Sequence, residues 1–151
     1  MPQSLANMLV HIVFSTKNHR ALLQNADHRG EMHRYLAGIS ANLDCPAIIV
    51  GGATDHVHLL ANQSRTIALA EWVKELKRAS SVWAKNKTPQ WSLFQWQAGY
   101  GAFSVSQSQK ERVQEYIRTQ EEHHLKISFQ DELRQILEKH GVGFDERYIW
   151  D

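Results

Sequence analysis

Three short apolar runs do most to limit how this chain folds. Leu9-Val10-His11-Ile12-Val13-Phe14, Pro46-Ala47-Ile48-Ile49-Val50 and His56-Val57-His58-Leu59-Leu60-Ala61 are strand-length and mostly β-branched or apolar. Each reads as a buried strand. Gly51-Gly52 is expected to turn the chain between the second and third runs, making a hairpin. Asp27 to Leu43 reads as a helix, with Asp27 as N-cap and Met32, Leu36, Ile39 and Leu43 at helical spacing. Thr66 is expected to cap a second helix that packs through Leu69, Trp72, Val73, Leu76, Val82 and Trp83 and ends before Pro89.

Beyond the flexible Gly99-Tyr100-Gly101, a strand is expected at Ala102 to Val105. Ser106 or Ser108 then caps a third helix reaching about Leu125. Ser128 caps a fourth, with Leu133, Ile136 and Leu137 as its apolar face and Gly141 as its end. The order strand, helix, strand, strand, helix, strand is that of a split β-α-β unit. It predicts an α+β, ferredoxin-like (RRM-like) antiparallel sheet with helices on one face, followed by a C-terminal tyrosine-bearing helix. In that arrangement the third strand is central, and His11 comes from its neighbour.

A chain of 151 residues, with 42% hydrophobic residues, is expected to form one domain over residues 1–151. Its single cysteine, Cys45, forms no intrachain disulfide, and neither a signal peptide nor a membrane-spanning run is evident, so a cytoplasmic protein is expected. The formal net charge of +1 does not mark the chain as a whole for nucleic acid.

Chemistry concentrates at two places. Along a strand, side chains alternate faces, so His56 and His58 project together, about 7 Å apart, while Val57 and Leu59 project oppositely. Two such imidazoles can converge on one metal ion. Some sixty residues later, Val113, Tyr116, Ile117, Gln120 and His124 form one helical stripe. The Gln120 carbonyl oxygen would complete a mixed nitrogen and oxygen donor set with positions left open, as a catalytic ion requires, and His123 and His124 are rival ligands. Such a set suits Mn2+ more naturally than Mg2+. Tyr116 supplies a nucleophile whose attack on a phosphodiester would leave a covalent phosphotyrosine.

His56-Val57-His58, the segment from Trp96-Gln97-Ala98-Gly99-Tyr100-Gly101 to Val105-Ser106, and Tyr116-Ile117-Arg118-Thr119-Gln120-Glu121-Glu122-His123-His124 occur in that order. Together they resemble the IS-two-hundred-like insertion-sequence transposases of the single-tyrosine HUH class, with matches spread over nearly the whole chain. The resemblance implies cleavage and rejoining of single-stranded DNA at hairpins near element ends. It implies metal ligation by His56, His58 and Gln120, and Tyr116 forming a 5′-phosphotyrosine link. It also implies a homodimer. Thr54 departs from the family, which often carries proline before the Asp-His-Val-His run; the ligands are untouched.

Lys74, Lys77 and Arg78, with Lys85 and Lys87, give the second helix a basic stripe that Lys17 and Arg20 would extend into a phosphate-binding surface. Trp91, Phe94, Trp96 and Tyr100 are candidates for stacking on unpaired bases or for packing. The alternative function is a domesticated hairpin-binding module with a residual site. Retention of both histidines and the tyrosine argues against it.

Overall fold

The computed structural model describes residues 2–151. Four strands, β1 (Leu9–Ser15), β2 (Ala47–Gly52), β3 (His56–Asn62) and β4 (Gly101–Val105), form an antiparallel sheet in the order β2-β3-β1-β4. The first and third strands are central, as the split β-α-β pattern requires. Helices α1 (Ala26–Asn42) and α2 (Leu69–Lys85) cover one face. Val10, Ile12 and Phe14 of β1 and Val57, Leu59 and Ala61 of β3 meet Met32 and Leu36 of α1 and Trp72, Val73 and Leu76 of α2 there.

The alternate residues of the same strands face the other way and are covered by the C-terminal helices. These are α3 (Lys110–Arg118), the short α4 (Gln120–His123) and α5 (Phe129–Lys139). Leu9 and Leu60 pack on Ile117 of α3, and Val13 and Phe103 pack on Phe129, Leu133 and Leu137 of α5. The period-two alternation of the strands thus builds two apolar layers, and places His56, His58 and His11 between sheet and C-terminal helices.

Several local expectations need correction. Gly51 and Gly52 pair with His58 and Val57 inside the sheet, and the turn falls at residues 53–55, closed by Ala53 N–H donating to the His56 carbonyl at 3.2 Å. Their lack of a side chain serves close approach instead: a Cβ on Gly51 would lie 2.6 Å from the Ile117 carbonyl oxygen. Asn25, two residues before Asp27, caps α1 by accepting from His28 N–H at 3.0 Å. Thr66 bonds to Ser64 and does not cap α2, which starts from Ala68 without a side-chain cap. Val82 is exposed, whereas Trp83 stacks on Tyr35 at 4.5 Å.

Neither Ser106 nor Ser108 caps the third helix; their hydroxyls bond to each other, and a 3-10 turn leads into α3. That helix does not reach Leu125. It breaks at Thr119, whose φ of −99° and ψ of 21° separate α3 from α4. Ser128 does cap α5, accepting from Asp131 N–H at 3.1 Å, and Gly141 ends it with φ of +66°.

Candidate active site

β3 delivers His56 and His58 onto the face covered by the C-terminal helices, and both are completely buried. His58 Nδ1 lies 2.8 Å from Nε2 of His11 on the neighbouring β1. His56 Nδ1 lies 2.8 Å from Asp55 Oδ1. These partners fix both rings so that each Nε2 points toward α4 and α5.

The break at Thr119 positions Gln120. Its side-chain Oε1 sits 3.0 Å from His56 Nε2 and 3.1 Å from His124 Nε2, and its Nε2 donates to Glu132 Oε2 at 2.9 Å. Tyr116, one turn earlier, donates its hydroxyl to the same Glu132 Oε2. Glu132 Oε1 in turn lies 3.0 Å from His58 Nε2, 3.2 Å from His124 Nε2 and 3.4 Å from His56 Nε2. The expected quartet of His56, His58, Tyr116 and Gln120 is therefore brought together, around a carboxylate that the pattern of the sequence did not single out. Only its place one turn after the Ser128 cap, on the face shared with Phe129 and Leu133, hints that Glu132 points inward.

One bonding conflict bears on what the site holds. A neutral imidazole donates one hydrogen bond, yet His56 Nδ1 faces the Asp55 carboxylate while Nε2 faces two oxygen acceptors, Gln120 Oε1 and Glu132 Oε1. A cation shared by those lone pairs would resolve the conflict. His56, His58 and Glu132 each offer a donor atom, all within 4.8 Å of one another. For metal–ligand bonds of about 2.1 Å, neighbouring donors in an octahedral set stand about 3 Å apart. The observed separations and the two-nitrogen, two-oxygen chemistry fit a divalent cation.

Burial governs the protonation of the cluster. It pushes His11 and His58 below the ordinary histidine value, keeping both neutral and leaving His58 able to coordinate. Burial also raises the Tyr116 phenol, and the adjacent Glu132 carboxylate raises it further. For Glu132 itself burial acts upward, but hydrogen bonds from His124 and His58 outweigh it, and the net direction is downward. The carboxylate is ionised. Burial lowers His124 as well, and Glu132 reverses that, leaving a net rise.

Around this core, a 270 Å³ groove opens beside Tyr116, lined by His11, Arg112, Lys139 and His140. On the far side of the sheet, Lys17, Lys77, Arg78 and Lys85 line a 540 Å³ cleft with Trp96 and Gln97. Arg20 lines an adjoining cleft with Lys17, and Lys74 is exposed on α2. Lys77 is not a free surface cation: its ammonium donates to the carbonyls of Gln97, Ala98 and Gly99 at 2.9, 3.1 and 2.6 Å, using all its hydrogens. Burial lowers its pKa to about 8. Arg78 pairs with Glu75 at 2.9 Å. Trp91, Phe94 and Trp96 are core residues and cannot stack on bases; of the four aromatic candidates only Tyr100 is exposed.

Residues 4–120 match the model of the "Transposase IS200 like" family. The chain belongs to the IS200-like transposase family. Among relatives of this transposase, ISDra2 transposase TnpA of Deinococcus radiodurans is 27% identical over 115 residues, covering 73% of this chain and 81% of that protein. The fold is shared with the crystal structure of a candidate transposase from D. radiodurans R1, at a TM-score of 0.61 and 23% identity, over 80% of this chain and 96% of that one. It is shared also with a REP-associated tyrosine transposase bound to a REP hairpin, at a TM-score of 0.55 and 12% identity, over 79% of this chain and 69% of that one. Among the described residues, no helix of this transposase is long and apolar enough to cross a membrane.

Proposed function

We propose that this chain cuts and rejoins single-stranded DNA at insertion-sequence ends, with Tyr116 as the nucleophile and a divalent metal, Mn2+ or Mg2+, held by His56, His58 and Gln120. The observation that carries the reading is the meeting of the Tyr116 hydroxyl with the His56, His58 and Gln120 donors around one point, although tyrosine and histidines lie some sixty residues apart. When bound, the cation withdraws charge from a phosphodiester oxygen and from the phenol.

The chain's own residues do the rest. Tyr116 Oη attacks phosphorus; the bond between phosphorus and the 3′ oxygen breaks, and a 5′-phosphotyrosine forms. The phenolic proton is lost and the departing 3′ oxygen gains one, so no other reactant is consumed. Rejoining reverses the exchange with a new 3′ hydroxyl, the phosphoester energy having been retained. Because His56, His58, Gln120 and Glu132 are buried, the scissile phosphate approaches through the groove beside Tyr116, where Arg112 and Lys139 offset its charge. Lys17, Arg20, Lys74 and Arg78 hold the flanking backbone of a DNA hairpin, a class of partner that the hairpin bound to the structural relative supports. Lys77 acts there by supporting the cleft wall. The same reading includes a homodimer, a single functional unit over residues 1–151, and a cytoplasmic setting consistent with the unpaired, buried Cys45.

Incubation with single-stranded hairpin DNA from the flanks of the gene and Mn2+, followed by denaturing electrophoresis, tests this directly. A covalent protein–DNA band is expected, and Tyr116→Phe should abolish it. Cleavage that survives Tyr116→Phe would indicate hydrolysis by water. Binding without any adduct would indicate a domesticated hairpin-binding module.

A further inference from the structure

We infer that Glu132 belongs to the active site, its Oε1 serving as a further ligand to the cation between His56 and His58 and its Oε2 positioning the Tyr116 hydroxyl. This rests on the metal-dependent tyrosine reading above. It goes beyond that reading because Glu132 lies outside residues 4–120, the span that matches the family.

The two oxygens of this carboxylate have different surroundings. Oε1 is enclosed by imidazole nitrogens at 3.0, 3.2 and 3.4 Å, from His58, His124 and His56. Oε2 accepts from the Tyr116 hydroxyl and the Gln120 amide. One rigid, planar group therefore connects the donor cluster to the nucleophile. A flexible surface side chain would not hold that geometry. Glu132 is held by α5, which is anchored through Phe129, Leu133 and Leu137 in the apolar layer under β1 and β4. The Phe129 ring also stacks on His56, with centroids 4.6 Å apart. A carboxylate only 1% exposed is expensive to bury unless its partners repay the lost hydration. Two neutral imidazoles and an amide oxygen bring no negative charge to a divalent ion. Glu132 supplies one, at a separation suited to a shared ligand shell.

Mn2+ binding to the full chain, read by calorimetry and by loss of the free-ion paramagnetic resonance signal, tests the inference. Adduct formation with hairpin DNA is measured in parallel. Glu132→Gln keeps the shape of the side chain and, with Glu132→Ala, should weaken Mn2+ binding at least tenfold and slow adduct formation at saturating Mn2+. Glu132→Asp should recover part of both, an outcome that a purely structural role would not give. Unchanged or tighter Mn2+ binding in the folded Gln and Ala variants, with adduct formation unchanged or faster, would overturn the inference. Glu132 would then be a competitor that fills the cation site. In that case the wild-type adduct and its dependence on Tyr116 persist, so the functional reading stands. A wild-type chain that neither binds Mn2+ nor forms an adduct would sink both.

Discussion

Gly51→Ala tests how the sheet sets the position of the nucleophile. Gly51 lies in β2 opposite His58, under the last turn of α3, and its new Cβ would stand 2.6 Å from the Ile117 carbonyl oxygen and 2.8 Å from Ile117 Cγ2. Ordinary carbon–oxygen contacts are about 3.4 Å or longer, so α3 must lift by about 0.6–0.8 Å, or β2 must sink by the same amount. The obstacle is backbone and cannot rotate away. Overpacking of this kind costs about 1–3 kcal/mol. Ile117 is the direct neighbour of Tyr116, and Gln120 follows one turn later, so the displacement is passed to both. A misplacement approaching 1 Å at a reacting group can cost about 100-fold in rate.

Urea unfolding should therefore show a loss of about 1–3 kcal/mol. The single-turnover rate of adduct formation should fall by tenfold or more at a temperature where the variant is fully folded. Wild-type stability together with a wild-type rate would refute the argument that the close approach of β2 and α3 fixes Tyr116. Lost stability with an unchanged rate would refute only the link to catalysis.

Two further outcomes follow from the same geometry. Lys77→Ala should destabilise the fold by about 1–3 kcal/mol, since it leaves the carbonyls of Gln97, Ala98 and Gly99 without their charged donor, whereas Arg78→Ala should leave stability nearly unchanged and flatten the salt dependence of hairpin binding; equal effects of the two on stability would contradict this division. His33 is shifted by burial from an ordinary value of 6.5 to about 4, so between those values the unfolded chain takes up a proton that the folded chain does not. Its contribution is intact above pH 6.5 and is lost as the pH falls toward 4, by up to about 3 kcal/mol. Chemical unfolding at pH 7 and pH 5 should show a smaller loss in His33→Gln than in the wild type, and identical slopes would exclude His33 as the source.

The route from sequence to site was uneven for identifiable reasons. His56 and His58 were legible because a strand has a fixed two-residue period, which needs no tertiary information to place both rings on one face. The strand and helix order was legible for a similar reason, and it brought β1 beside β3 and hence His11 beside His58. Caps and breaks were less legible. Asn25 and Asp27 are chemically similar as caps, and the break at Thr119 follows no proline or glycine. Glu132 carried only a faint signal in the pattern, because an acidic residue in the first turn of a helix is ordinarily explained by the helix dipole. The basic stripe on α2 misled in one respect, since charge at a surface spacing says nothing about whether a loop will fold back over it, as residues 97–99 do over Lys77.

Local periodicity and ordered motifs, then, determined the fold class and nominated the imidazole pair, the tyrosine and the glutamine, because each depends on spacing along a few residues. Only the tertiary structure decided that α5 returns beneath the sheet and inserts a carboxylate among them. That placement depends on apolar contacts of Phe129, Leu133 and Leu137 with residues as far away in the chain as Val13. Such contacts are set by how two layers pack against each other, and no short window of sequence contains both partners.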